Sequence, residues 1–217
     1  MSTQRPTRVA VFIDYQNTYK GARRVFELES SFVDGQIYPR RLGLAVTQLG
    51  RAVDPTRELV AVKVFRGEPS AKHSATGQAA CQRQVRFWNA QALVEGVTRP
   101  LKYSPSRWDG NQVVEWTAAE KGIDVLIALA MVTGAIADEF DVAVLMSSDT
   151  DLVPALEQVL AAGKRVEVAC WNGPDRNPRL VVPGVNIWCH WLDRRWYDRV
   201  ADRTDYTVDQ GIPPTEP

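Results

Sequence analysis

Apolar and polar positions along the chain alternate between short, continuous apolar runs and longer stretches with helical spacing. Arg8 to Ile13 reads as a first buried strand, followed by helices from about Tyr15 to Leu28 and from about Tyr38 to Val53. Glu58 to Phe65 (ELVAVKVF) is a strand preceded by the Asp54-Pro55 turn, a polar helix is expected from about Ser74 to Ala92, and a strand resumes to Thr98. Pro100 to Gly110 reads as a small hairpin or a flexible loop, with the turn signal Asp109-Gly110-Asn111. Val125 to Val132 is apolar on every side, and with its extension to Ala137 predicts a buried helix. Strand Val142 to Met146 follows, then a helix from about Asp151 to Ala162 closed by Gly163, then strand Arg165 to Cys170. A strand around Val185 to Trp191 and a short helix to Val200 complete the pattern. Strands separated by helices need crossover connections, so the pattern predicts an α/β fold with a mainly parallel central sheet and helices on both faces. One domain over residues 1–201 is expected, and the polar, proline-bearing segment 202–217 reads as a disordered tail.

Composition adds few constraints. The chain has 217 residues with 26 basic and 26 acidic side chains, which gives a formal net charge of zero. A nucleic-acid partner is compatible with that balance, because phosphate is bound by a local basic face and not by the total. No apolar run reaches the length of a membrane span, and MSTQRPTR lacks the apolar core of a signal peptide, so no membrane partner and a cytoplasmic location are expected. Cys81, Cys170 and Cys189 form no CxxC pair and read as reduced, packed thiols.

The chemistry is concentrated where two strands end. Asp14 directly follows the first apolar run, which places its carboxylate at the strand's carboxyl end, where ligands bind in open α/β sheets. The same position suits an N-cap, and Asn17 falls in the first turn of the helix that follows. Ser147-Ser148-Asp149-Thr150-Asp151 follows the strand Val142 to Met146, offering more oxygens than a helix cap uses. Two carboxylates about 4 Å apart repel by roughly 4 kcal/mol at an effective dielectric near 20, so their convergence calls for a cation. Hard oxygen ligands select Mg²⁺ or Mn²⁺ over zinc. Asp124 stands at the threshold of the apolar helix, where it is either a favourable charge at the helix N-terminus or a further ligand, with Lys121 as a nearby partner.

VFIDYQN (11–17), KGIDVLIALAMV (121–132) and VAVLMSSDTDLVPALEQVLAAGKRVEV (142–168) together resemble the three signature blocks of the NYN domain, a branch of the PIN-like nuclease superfamily. Serine at 148 stands where the family often has glycine. The resemblance implies a PIN-like α/β/α sandwich, a metal-dependent ribonuclease activity and an acidic pocket. In that pocket Asp14 and Asn17 match the first-strand pair, Asp124 the KGxD acid, and Asp149 and Asp151 the SxDxD pair.

These readings make Asp14, Asn17, Asp124, Asp149 and Asp151 the candidate catalytic residues, with the four aspartates as ligands of Mg²⁺ or Mn²⁺. His73 and His190 are the two histidines, and neither is placed to serve as a general base. Between Arg66 and Arg107 basic residues outnumber acidic ones and aromatic residues are interspersed, a composition that suits either phosphate contact and base stacking with single-stranded RNA or a solvated helix face with core aromatics. Arg83, Arg86, Lys102 and Arg107 are the substrate-binding candidates. A homo-oligomer or a regulatory protein partner is left open. The alternative function is a PIN-like RNA-binding or interaction module with weak or no turnover. Receiver-type phosphoacceptors and haloacid-dehalogenase-like phosphatases fit less well, since Tyr15 and Gln16 stand where those sites need further acids.

Overall fold

The computed structural model describes residues 5–28, 30–174 and 179–209. Six strands form one sheet: β1 (Thr7–Asp14), β2 (Arg57–Glu68), β3 (Val94–Pro100), β6 (Val142–Met146), β7 (Arg165–Trp171) and β8 (Trp188–Leu192), in the order β3-β2-β1-β6-β7-β8. Every pairing in it is parallel. The PIN-like α/β/α arrangement expected from the sequence is therefore present, with β1 at the centre and the carboxyl ends of all six strands along one edge. Between β3 and the next helix the chain makes an antiparallel hairpin, β4 (Lys102–Asp109) and β5 (Gln112–Ala119), with Gly110 in the left-handed region at its turn. Of the two readings of Pro100 to Gly110, a small hairpin or a flexible loop, the structure has the hairpin, with this stretch as its first strand and turn.

The period-2 alternation of side chains sorts the core into two layers. Val9, Val11 and Ile13 of β1 join Val142, Val144 and Met146 of β6 on the face covered by α1 (Tyr15–Phe26), α2 (Pro39–Gly50), α3 (Ala71–Asn89) and α6 (Arg194–Val200). Ala10 and Phe12 join Ala143 and Leu145 on the other face, under α4 (Ile123–Ile136) and α5 (Val153–Ala161). Contrary to the expectation from its composition, α4 is not buried all round. It is the outer layer of its face: Ile127, Met131 and Ala135 pack inward, whereas Val125, Leu129 and Ile136 are exposed. No helix among the described residues is long and apolar enough to cross a membrane.

A second correction concerns the segment after Ala201. Asp202 is wholly buried, its backbone N–H donates to the Gln36 carbonyl at 3.0 Å, and Tyr206 is buried with its hydroxyl donating to Asp202 Oδ2 at 2.8 Å. Arg203 pairs with Asp34. A single aromatic anchor and one buried carboxylate hold a stretch whose average composition is that of a loop. Residues 210–217 of the expected tail lie outside the described residues.

Under the C-terminal end of α2 the sheet carries a buried ionic group. Arg57 Nη1 donates to Glu167 Oε2 at 2.8 Å, and His190 Nε2 lies 2.7 Å from the same oxygen. Burial pushes the Glu167 carboxyl up, but the hydrogen bonds from His190 and Arg57 outweigh it and the group settles at about 2. Its folded value is depressed, so the stability it contributes is present above its ordinary 4.5 and is lost as the pH falls towards 2. Glu167→Ala, which strands the Arg57 guanidinium in the core, should cost about 3–5 kcal/mol by urea denaturation at pH 7. The double change Arg57→Met with Glu167→Leu should recover most of that loss.

Candidate active site

The local sequence places Asp14 where β1 turns directly into α1. Its backbone is extended, and its carboxylate caps the helix by accepting from Asn17 N at 3.1 Å. The second oxygen accepts from Ser147 Oγ at 3.1 Å, at the end of the neighbouring β6. The capping role and the role at the strand end therefore belong to the same carboxylate. Asn17 in turn accepts through Oδ1 from Ser148 N at 3.2 Å and from Ser148 Oγ at 3.0 Å, so two further bonds tie α1 to the β6 loop. Thr18 Oγ1 adds a bond to the Met146 carbonyl at 3.3 Å.

Asp149 sits at the start of a single 3-10 turn, Thr150–Leu152, and accepts from Asp151 N at 3.0 Å. Its own N–H donates to Ser147 Oγ at 3.1 Å. Asp124 lies in the first turn of α4, after Gly122 in the left-handed conformation. These elements enclose a cleft of about 610 Å³ at the carboxyl edge of the sheet, lined by Asp14, Asn17, Asp124 and Asp149. Three charged residues beyond the sequence candidates for this site share it: Glu120, Lys121 and Lys20. Glu120 follows the last residue of β5, and its Oε1 accepts from Gly67 N at 2.6 Å. The hairpin's second strand carries it to the cleft.

Asp14 is the electrostatic centre of the site. Burial pushes its carboxyl up to about 6, the hydrogen bonds from Asn17 and Ser147 act against this, and the charges of Glu120 and Asp149 reinforce it. Four carboxylates and two ammonium groups line the cleft. The donor set is hard oxygen throughout and short of positive charge, which is the chemistry that Mg²⁺ or Mn²⁺ fits. It is an open acidic cleft and not a closed cage: among the described residues no three carboxylate, imidazole or thiol groups stand as a ready metal site.

The other sequence candidates lie elsewhere. The Asp151 side chain is exposed and outside the cleft lining, and it is its backbone N–H that serves the site. Arg83 Nε and Nη2 donate to the Tyr206 and Thr207 carbonyls at 2.7 and 3.0 Å, which gives it a structural task on the C-terminal segment. Arg86 is exposed on α3, Lys102 is exposed at the base of the hairpin, and Arg107 pairs with Glu115 at 3.2 Å. His73 stacks on Tyr103, and His190 belongs to the Arg57–Glu167 group, so neither lines the cleft.

The family model for the NYN domain matches residues 8–180, a span that contains both strand ends, the hairpin and α4. The chain belongs to the NYN domain family, and with it to the PIN-like nuclease superfamily. A solved structure of a protein of unknown function from Vibrio parahaemolyticus is similar at 18% identity and a TM-score of 0.49, over 92% of this chain and 93% of that one. No curated protein matches.

A raised carboxyl in the folded state costs stability once it ionises. That cost is absent below the ordinary 3.8 and grows as the pH rises through about 6. Asp14→Asn keeps a capping oxygen and removes the charge, so in EDTA it should be more stable than the parent at pH 8 by up to about 3 kcal/mol. The advantage should vanish near pH 4. Thermal melts at the two pH values check both the sign and the window.

Proposed function

We propose that the chain is a metal-dependent ribonuclease that hydrolyses phosphodiester bonds of single-stranded RNA with Mg²⁺ or Mn²⁺. The observation that carries this reading is the buried Asp14 carboxyl, raised to about 6 in a cleft it shares with Glu120, Asp124 and Asp149. Membership of a nuclease superfamily supports it.

Asp14, Asp124 and Asp149 are the residues that would hold the cation, with Glu120 beside them. Such a cation, when bound, supplies a more acidic water and charge for the non-bridging phosphate oxygens. The protein's own groups do the positioning. Asn17 uses its carbonyl oxygen on Ser148, which leaves its amide N–H groups to donate to a phosphate oxygen. Lys20 and Lys121 line the cleft from α1 and from the loop before α4, and attract the polyanion into it. Arg86, Lys102 and Arg107 are exposed outside the cleft, Arg107 in an ion pair with Glu115; Asp151 acts through the backbone turn that orients Asp149.

The second reading is an RNA-binding module of the same fold with weak or no turnover. It is favoured by the openness of the acidic cleft, whose four carboxylates line one space without three of them standing as a ready metal site among the described residues. Cleavage of generic single-stranded RNA with and without EDTA separates the two. Asp14→Asn and Asp149→Asn should each lower the magnesium-dependent rate by roughly 100-fold or more, beyond the loss seen when only an outer partner of a ligand is removed. Parental rates in either variant would remove that carboxylate from the mechanism.

Attack by water leaves a 5′-phosphate and a 3′-hydroxyl, whereas attack by the RNA's own 2′-hydroxyl leaves a cyclic phosphate. Mass spectrometry of the products should find the first pair, and chelation should abolish cleavage altogether. For binding, Lys20→Ala and Lys121→Ala should each reduce the slope of log K against log salt by about 0.7 for every phosphate that is no longer neutralised. An unchanged slope would place the phosphate path elsewhere.

A further inference from the structure

Next to the acidic cleft lies a separate cavity of about 350 Å³, and Gln16 and Glu120 line both. It opens between α1 and α3. Its floor is a fixed polar network on an aromatic base: the Arg66 guanidinium lies 5.0 Å over the Tyr15 ring and donates to Gln84 Oε1. Gln84 Nε2 donates to the Tyr15 hydroxyl at 2.8 Å and to Gln36 Oε1 at 2.6 Å. Because Tyr15, Gln36 and Gln84 are buried and mutually bonded, this floor keeps its shape without a ligand.

The walls differ in kind. On the α1 side stand Tyr19 and Phe32, joined by the bond from the Tyr19 hydroxyl to the Phe32 carbonyl at 2.9 Å. Phe32 is 56% exposed although it lines the cavity. On the α3 side Gly77, Ala80 and Cys81 are small, which leaves a slot between an aromatic wall and a low one. An aromatic wall, a slot open at one edge and polar groups at its back match a flat heteroaromatic ring. Phosphate matches less well, since the one guanidinium lining the cavity among the described residues is engaged by Gln84, the Gly67 carbonyl and the ring beneath it. The volume falls at the lower end of the roughly 300–1,000 Å³ of small-ligand sites, enough for one base with its sugar.

We propose that this cavity receives one nucleobase of a single-stranded RNA, that of the nucleotide adjoining the phosphate held in the acidic cleft. The inference rests on the ribonuclease reading, and it adds to that reading a subsite that fixes the register of the strand across the carboxylates.

The test uses the full chain carrying Asp149→Asn, with magnesium, and a set of short single-stranded RNAs in which one base at a time is replaced by an abasic ribose. Fluorescence anisotropy should show one position at which removing the base weakens binding by about 5- to 100-fold. In the same chain with Phe32→Ala, which alters an exposed ring and leaves the buried network alone, that position's loss should shrink to about twofold or less. Binding with a flat abasic scan, or a loss unchanged by Phe32→Ala, overturns the base site and leaves the ribonuclease reading standing. Absence of any RNA binding overturns both.

Discussion

The site depends on one constraint: a carboxylate taken out of water at the end of the central strand. Asp14 cannot move away, because one oxygen caps α1 and the other holds the end of β6 through Ser147. Removing it would take away one of the ties between α1 and the sheet and also the charge on which the cleft is built. Burial is the main reason its carboxyl rises to about 6, and the charges of Glu120 and Asp149 add to it. The fold stores this electrostatic cost at the edge where a polyanion and its counter-cation would meet. The cost is compatible with folding because the layers around it are fully packed, with Val9, Val11, Ile13, Val142 and Val144 having no exposed surface.

Much of the fold was legible because its strands are continuous apolar runs that end in polar residues. Asp14, Asp149 and Asp124 were legible for the same reason: each adjoins the end of an apolar element, so burial and chemistry coincide in the sequence. Glu120 was not, since its place depends on the length of β5, and Thr117 to Ala119 carry no distinctive pattern. Asp151 looked equivalent to Asp149 because spacing cannot tell which acid of a turn points inward. Arg83 was read as a phosphate contact for its charge, and its partners are two backbone carbonyls more than 120 residues away. No local feature announces a contact of that range.

The apolar surface of α4 and the buried Tyr206 mark the limits of reading composition as burial. Thirteen of the fourteen residues of α4, IDVLIALAMVTGAI, are uncharged, yet a helix on the outside of a three-layer fold has only one face to bury. The converse holds after Ala201, where one tyrosine and one aspartate settle the position of a polar segment that averages to loop. A layer's rank in the stack, and not its hydropathy, decides how much of it meets solvent.

The strand order has a consequence for when the cleft can exist. β1 is made first but lies between β2 and β6, and the Asp14–Ser147 contact spans 133 residues. A nascent chain emerging from the ribosome therefore carries Asp14 long before its partners, and the acids cannot converge until Asp149 has been synthesised. Half-made copies of this protein are without the site by topology alone, so any activity that resides in it starts only once most of the sheet is in place.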